Sequence, residues 1–208
     1  MILIGQYDSP YVRRVAITLR LYDLPFEHRP WSVWGDAEKI AAYNPLRRVP
    51  TLVLPDGTAL VETFAIIDAL DEHVPSEHAL LPRSGSVRRD GMRIVALASG
   101  LADKSVSLLY EPMFREQPSD RWTSRCHRQI ADTLAVLELG FVERGTPYWL
   151  GDSLSHADVA LACALRFTRE AHPTLFDPAR HPVLAALAAR CEALPAFREI
   201  QQPLTNVL

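Results

Sequence analysis

A serine near the start of the chain is the first residue whose type and position could do chemistry. Ser9 precedes Pro10, and this pair is typical of a helix start, with the serine as N-cap and the proline in the first turn. A hydroxyl at that point lies at the positive end of the helix dipole, where a negative charge is stabilised. Ser9 is therefore a candidate for stabilising an anion, and the alternative is that it only caps its helix.

Two further pairs flank a predicted β-hairpin. Pro50 lacks an amide hydrogen at the head of a strand, so Val49 before it can turn its backbone N–H and C=O toward a peptide ligand. Glu62 and Thr63 stand where a helix should begin; the Thr63 amide and hydroxyl could bind a carboxylate and Glu62 an ammonium group. An edge charge followed by an N-cap is the alternative for the second pair. Together the two pairs suit a peptide ligand that carries an ammonium group and a carboxylate group.

The first third of the chain alternates strand and helix patterns. An apolar run over residues 1–5 predicts a buried strand, and the helix that Ser9 starts should end near Asp23. We expect Arg13, Arg14 and Arg20 on its solvent face. Further patterns predict a strand at 26–29, a short helix at 36–43, a hairpin around the Pro-Asp-Gly turn at 55–57, and a helix capped by Thr63 that ends before Pro75. The order is β-α-β-α-β-β-α, with the first two strands parallel.

The rest of the chain is predicted to be helical. Residues 75–86 contain two prolines, a glycine and three serines, so residues 77–86 are assigned as a linker. Long helices are predicted after it, from 87 to about 110 and from Ser119 to Arg144. In Leu154–Val159, Ser155 as N-cap and Asp158 at the third helical position predict a capping box.

Composition excludes several classes of function. The chain has 208 residues, 48% of them hydrophobic, and a net charge of −3, which gives no electrostatic reason for binding nucleic acid or an anionic membrane. Without a membrane-spanning run or a signal peptide pattern, a cytoplasmic location is expected. Cys126, Cys163 and Cys191 are widely spaced in apolar helical patterns, so we expect buried thiols and no metal site.

Several of these motifs together resemble the glutathione S-transferases. They are Val-Pro-Thr-Leu at 49–52, Glu-Thr-x-Ala-Ile at 62–66, Trp-Leu-Gly-Asp at 149–152 and Leu-Pro-Ala-Phe at 194–197. The resemblance, to cytosolic, serine-type, bacterial-like members, implies an α/β thioredoxin-like N-terminal domain plus an all-α C-terminal helical domain. It places the glutathione-binding domain at 1–76, the linker at 77–86 and the helical domain at 87–208. It also implies a cis proline at Pro50 and a homodimer.

The resemblance also implies roles for the candidate residues. Ser9 would be catalytic, donating a hydrogen bond that stabilises the thiolate of glutathione, the co-substrate, for attack on a small hydrophobic electrophile. Tyr7 is the rival donor, although a buried or stacked ring is favoured for it, and Lys39 is a weaker alternative to Arg48 for the glycine carboxylate. The substrate-binding residues implied are Tyr11, Arg48, Val49, Pro50, Glu62 and Thr63.

One position departs from the family pattern. Where many members carry an acid that reaches the γ-glutamyl amine across a dimer interface, this chain has Ser99, with Asp103 one turn further along. The departure leaves open a non-catalytic binding or regulatory protein with the same fold. Isomerase or peroxidase chemistry would use the same activated thiol, whereas disulfide reduction is disfavoured because Ser9 stands where redox members of the thioredoxin fold carry cysteine.

Overall fold

The N-terminal part of the chain forms a four-stranded mixed sheet. The computed structural model describes residues 1–204, and its sheet has the strand order β2-β1-β3-β4. Strand β1 pairs parallel with β2 and antiparallel with β3, and β3 and β4 form the antiparallel hairpin. The predicted βαβ unit and hairpin are therefore confirmed. The strands are β1 (Ile2–Ile4), β2 (Glu27–Arg29), β3 (Thr51–Val53) and β4 (Ala59–Val61).

Helices follow the strands in the predicted order. Helix α1 (Pro10–Leu21) begins directly after its N-cap Ser9, and α2 (Ala37–Ala41) is a short helix before the hairpin. Helix α3 (Thr63–Asp71) begins at Thr63 itself, with Glu62 as the N-cap residue at φ +68°. The prediction that Thr63 caps this helix was thus wrong by one residue, and Thr63 contributes the first helical amide instead.

The solvent face predicted for α1 was wrong at two arginines. Arg13 and Arg14 are buried, with 2% and 4% of their surface exposed. The guanidinium of Arg14 lies 5.6 Å from the ring centroid of Phe64, and that of Arg13 lies 5.5 Å from the ring centroid of Phe197. The helix periodicity could not predict this because Phe197 comes from the other end of the chain.

The chain divides into two compact units. One contains residues 1–80 together with the described chain from Leu194 onward, and the other contains residues 81–193. The short helix α8 (Pro195–Glu199) packs on α1 in the first unit, although the predicted helical domain of 87–208 had included it.

The long elements of the second unit are all helices, and α4 packs against both α5 and α6. The capping box that starts α6 is present, and Asp158 accepts a hydrogen bond from the Ser155 amide at 2.9 Å. All three cysteines are buried, as predicted. The helices of the second unit are α4 (Gly85–Phe114), α5 (Asp120–Arg144), α6 (His156–Ala171) and α7 (Pro182–Glu192), and α8 of the first unit is Pro195–Glu199.

Across residues 1–204, no helix combines the length and the apolar character that crossing a membrane would need.

Candidate functional site

Three segments that the sequence singled out meet around Gly5. This glycine follows β1 and has φ +129°. A Cβ atom placed there would lie 2.5 Å from Val12 Cγ2 and 2.8 Å from Val49 Cβ, so a side chain would collide with both. The end of β1, the first turn of α1 and the segment before β3 can approach this closely only because residue 5 is glycine. The close approach brings the first turn of α1, which Ser9 caps, to Val49.

Ser9 occupies the predicted place at the start of α1. Its Oγ accepts a hydrogen bond from the Val12 amide at 3.4 Å, which is at the long end for a hydrogen bond. Because a hydroxyl that accepts a hydrogen bond still carries its own hydrogen, Ser9 can also donate to a ligand atom in front of the helix. The geometry therefore allows capping and anion stabilisation together, and Ser9 need not give up one for the other.

The segment before β3 is held by a buried asparagine that the sequence analysis missed. Val49–Pro50 is a cis peptide bond, as the resemblance implied. Asn44, 1% exposed, donates from Nδ2 to the Arg48 carbonyl at 2.9 Å and to Thr51 Oγ1 at 3.1 Å. These bonds hold the Arg48 carbonyl and the Thr51 side chain, on the two sides of Val49–Pro50. The only sequence signal at Asn44 was its position before Pro45, which we interpreted as a helix end.

The β3–β4 hairpin brings Glu62 and Thr63 close to Pro50. Thr51 pairs with Val61 in the β3–β4 register, so Glu62 and Thr63 follow directly beside Pro50. Arg48 Nη1 lies 3.1 Å from Glu62 Oε1, and both side chains are exposed. A carboxylate and a guanidinium thus lie together at the N-terminus of α3. The free backbone amides of the first helical turn also favour an anion there.

Tyr7 is used in packing. Its ring stacks on His28 with a centroid distance of 3.9 Å and an interplanar angle of 5°. Burial raises the pKa of Tyr7 to about 12, so its hydroxyl is a weaker acid than an ordinary phenol. The stacked role favoured for Tyr7 is confirmed.

Two other candidates occupy different surroundings. Tyr11 lies in the first turn of α1, half-buried and two residues from Ser9. Lys39 in α2 forms an ion pair with Asp36 at 2.6 Å, so its charge is already matched within its own helix.

His28 ties the loop before α1 to the sheet. Its Nε2 lies 2.8 Å from the Gly5 carbonyl, and burial holds the pKa of His28 below its usual value. With the ring neutral, Nε2–H donates to this carbonyl. In the other unit, burial likewise lowers the pKa of His172, whose Nε2 lies 2.8 Å from the Ser105 carbonyl.

These histidines predict a loss of stability in mild acid. A histidine with a lowered pKa in the folded state takes up its proton first in the unfolded chain, so the free energy of unfolding should fall as the pH drops below about 6.5. Urea unfolding at pH 7 and at about pH 5.5 should show this. His28→Gln retains a donor for the Gly5 carbonyl and should reduce the difference, whereas replacement of the exposed His78 should not. An equal pH dependence in wild type and His28→Gln would contradict the assignment.

The comparisons with known proteins agree with this geometry. Residues 3–78 match the family model for the glutathione S-transferase N-terminal domain, and residues 120–190 match that for the C-terminal domain. The uncharacterized GST-like protein YibF of Escherichia coli is 30% identical over 98% of this chain and 99% of its own length. The chain belongs to the glutathione S-transferase family.

Solved structures extend the agreement to three dimensions. A glutathione S-transferase from Methylobacterium radiotolerans, in complex with glutathione sulfonate, superposes with a TM-score of 0.89 at 31% identity, covering 100% of this chain and 98% of that one. A glutathione transferase family member from Pseudomonas fluorescens with bound glutathione has a TM-score of 0.85 at 29% identity, covering 98% and 99%. The predicted fold, a thioredoxin-like domain followed by a helical one, is confirmed, and the family match and these structures support the predicted glutathione transferase activity.

Proposed function

We propose that this transferase uses Ser9 to stabilise the thiolate of its co-substrate glutathione for attack on a small hydrophobic electrophile. The observation that carries the proposal is the meeting at Gly5 of the α1 N-terminus and Val49. A free thiol has a pKa near 8.5 and is only a few per cent ionised at neutral pH. A hydroxyl donor and a helix N-terminus beside the sulfur both favour the anion.

The remaining residues suit the rest of the tripeptide. Val49 would hold the cysteinyl backbone through main-chain hydrogen bonds, next to the sulfur at Ser9. The γ-glutamyl end carries an ammonium and a carboxylate group, which Glu62 and the Thr63 amide would bind. Tyr11 would line the site from the first turn of α1. Support comes from the similar structures that contain glutathione, its sulfonate and a propanoic acid conjugate.

Replacing Glu62 by glutamine should weaken glutathione binding about tenfold, because one charge-assisted hydrogen bond to the ammonium is lost. Glu38→Gln is a matched control, since Glu38 is also an exposed acid paired with an arginine, Arg47. Isothermal titration calorimetry measures the glutathione affinity of both variants. Equal affinities of the two variants would remove Glu62 from the site.

Arg48 could bind either carboxylate of glutathione. The resemblance implied the glycine carboxylate, whereas the 3.1 Å contact of Arg48 with Glu62 supports a role at the γ-glutamyl end. The dipeptide γ-glutamylcysteine, which lacks glycine, separates the two. Because the contact favours the γ-glutamyl carboxylate, we expect Arg48→Ala to weaken binding of tripeptide and dipeptide by the same factor, about fivefold. A loss confined to the tripeptide would assign Arg48 to glycine.

A non-catalytic binding protein is the second candidate, and Ser99 is the observation behind it. Its side chain is neutral and therefore supplies no charge to a ligand, and its Oγ donates to the Val95 carbonyl at 2.9 Å within α4. This candidate predicts an apolar ligand and little glutathione binding. The proposal further includes a cytoplasmic location and a homodimer, and sedimentation of the purified protein tests the homodimer.

A further inference from the structure

The segment at residues 195–202, which we name the C-terminal segment, belongs to the first unit and forms hydrogen bonds with residues on both sides of Ser9 in the sequence. Gln202 Oε1 accepts a hydrogen bond from the Tyr7 amide at 3.1 Å. Arg13 donates from Nε to the Ile200 carbonyl at 2.9 Å and from Nη2 to the Phe197 carbonyl at 3.1 Å. Tyr7 lies two residues before Ser9 and Arg13 four residues after it. The loop and first turn that carry the hydroxyl are thus tied to one short segment.

These contacts are built into the core. Arg13 is 2% exposed, Phe197 is 0% exposed and Ile200 is 1% exposed. A guanidinium this deeply buried requires acceptors for its donors, and the two carbonyls provide them with fixed geometry. Two turns beyond Arg13, the exposed pair Arg20–Glu199, at 2.6 Å, continues the attachment along α1. The segment therefore lies against α1 in one defined register.

Gln202 contacts the loop before α1, whereas the other contacts of the C-terminal segment are with α1 itself. The Tyr7 amide belongs to the loop between β1 and α1, in which the Ser9 amide donates to the Gln6 carbonyl at 3.2 Å. The other contacts described for this loop come from β2, through His28, and from the segment before β3, through Val49. Gln202 thus acts directly on the loop that sets the position of Ser9, whereas Arg13 acts on the helix behind it.

We infer that the C-terminal segment is a positioning element for Ser9, with Gln202 fixing the loop before α1 and Arg13 fixing the first turn of the helix. The inference rests on the proposed role of Ser9 in activating glutathione. A displacement of about 1 Å in a catalytic group can cost as much as 100-fold in rate, so a small relaxation of the loop would be measurable.

Three variants test the inference with glutathione as the probe. Gln202→Ala removes the acceptor, Gln202→Glu retains one, and Gln201→Ala alters the exposed neighbour. For each, we would titrate the bound thiol by ultraviolet absorbance, measure kcat with an aryl halide, and record the urea midpoint. Gln202→Ala should raise the bound thiol pKa and lower kcat about tenfold, with nearly unchanged KM and midpoint. Gln202→Glu should restore most of the activity, and Gln201→Ala should match wild type.

The outcomes separate this inference from the proposed function. If Gln202→Ala shifts the urea midpoint but leaves the thiol titration of the folded protein at its wild-type position, the segment is only structural and the inference fails. Failure of Gln202→Glu to recover any activity would also overturn it. If wild type itself leaves the thiol pKa of bound glutathione at its free value, the proposed function fails instead, and that result is visible before any variant is made.

Discussion

Replacing Ser9 by alanine should raise the thiol pKa of bound glutathione by about one to two units and lower kcat at neutral pH about 30-fold. The reason is the loss of a hydrogen bond to an anion, which is worth about 1.5–3 kcal/mol. Affinity for glutathione should change much less, because the tripeptide would keep its contacts with Val49, Glu62 and Thr63. Steady-state kinetics and ultraviolet titration of the thiolate measure these quantities.

The chain offers a matched control for this substitution. Ser119 caps α5 with the same geometry, accepting a hydrogen bond from the Trp122 amide at 3.4 Å, as Ser9 does from Val12. Ser9→Ala and Ser119→Ala should therefore each cost about 1 kcal/mol of stability through the lost cap. Only Ser9→Ala should alter the thiol titration. Unchanged turnover in Ser9→Ala would show that its hydroxyl does no more than cap the helix.

Replacing Asp158 by alanine should have the largest effect on stability. Asp158 is 0% exposed and accepts hydrogen bonds from the Trp149 amide at 2.8 Å and from the Ser155 amide and hydroxyl at 2.9 and 2.6 Å. The alanine variant would leave two buried amides without acceptors and a small cavity, which together cost about 3–4 kcal/mol. Urea unfolding measures this loss.

Asp158 joins two parts of the helical unit, the loop at Trp149 and the start of α6, which explains why its effect should exceed that of an ordinary cap. Asp152→Ala is the control, since Asp152 is an exposed acid in the same loop and its replacement should cost under about 0.5 kcal/mol. A similar loss of stability in both variants would show that the loop, and not the buried carboxylate, is responsible.

The sequence predicted the parts of the fold that depend on near neighbours. The Ser9–Pro10 helix start, the hairpin around Gly57 and the Ser155–Asp158 capping box are each fixed by residues a few positions apart. Their preferences act locally and agree with the final structure. For the same reason, errors at helix ends were small, as at Thr63.

The site was predicted less completely because its supports come from distant parts of the chain. Asn44 was missed, since its bonds to Arg48 and Thr51 exist only after the loop folds back. Arg13 was assigned to solvent because its partners lie 184 and 187 residues away. Long-range contacts of this kind leave no periodic signal, and a charged residue on a helix is ordinarily exposed.

The pH titration of glutathione bound to the wild-type protein, followed by the ultraviolet absorbance of the thiolate, tests the central claim most directly. The account predicts saturable binding and a thiol pKa at least about one unit below the free value near 8.5. A bound thiol that titrates at its free value, or no binding at all, would contradict the claim that the Ser9 end of α1 activates glutathione.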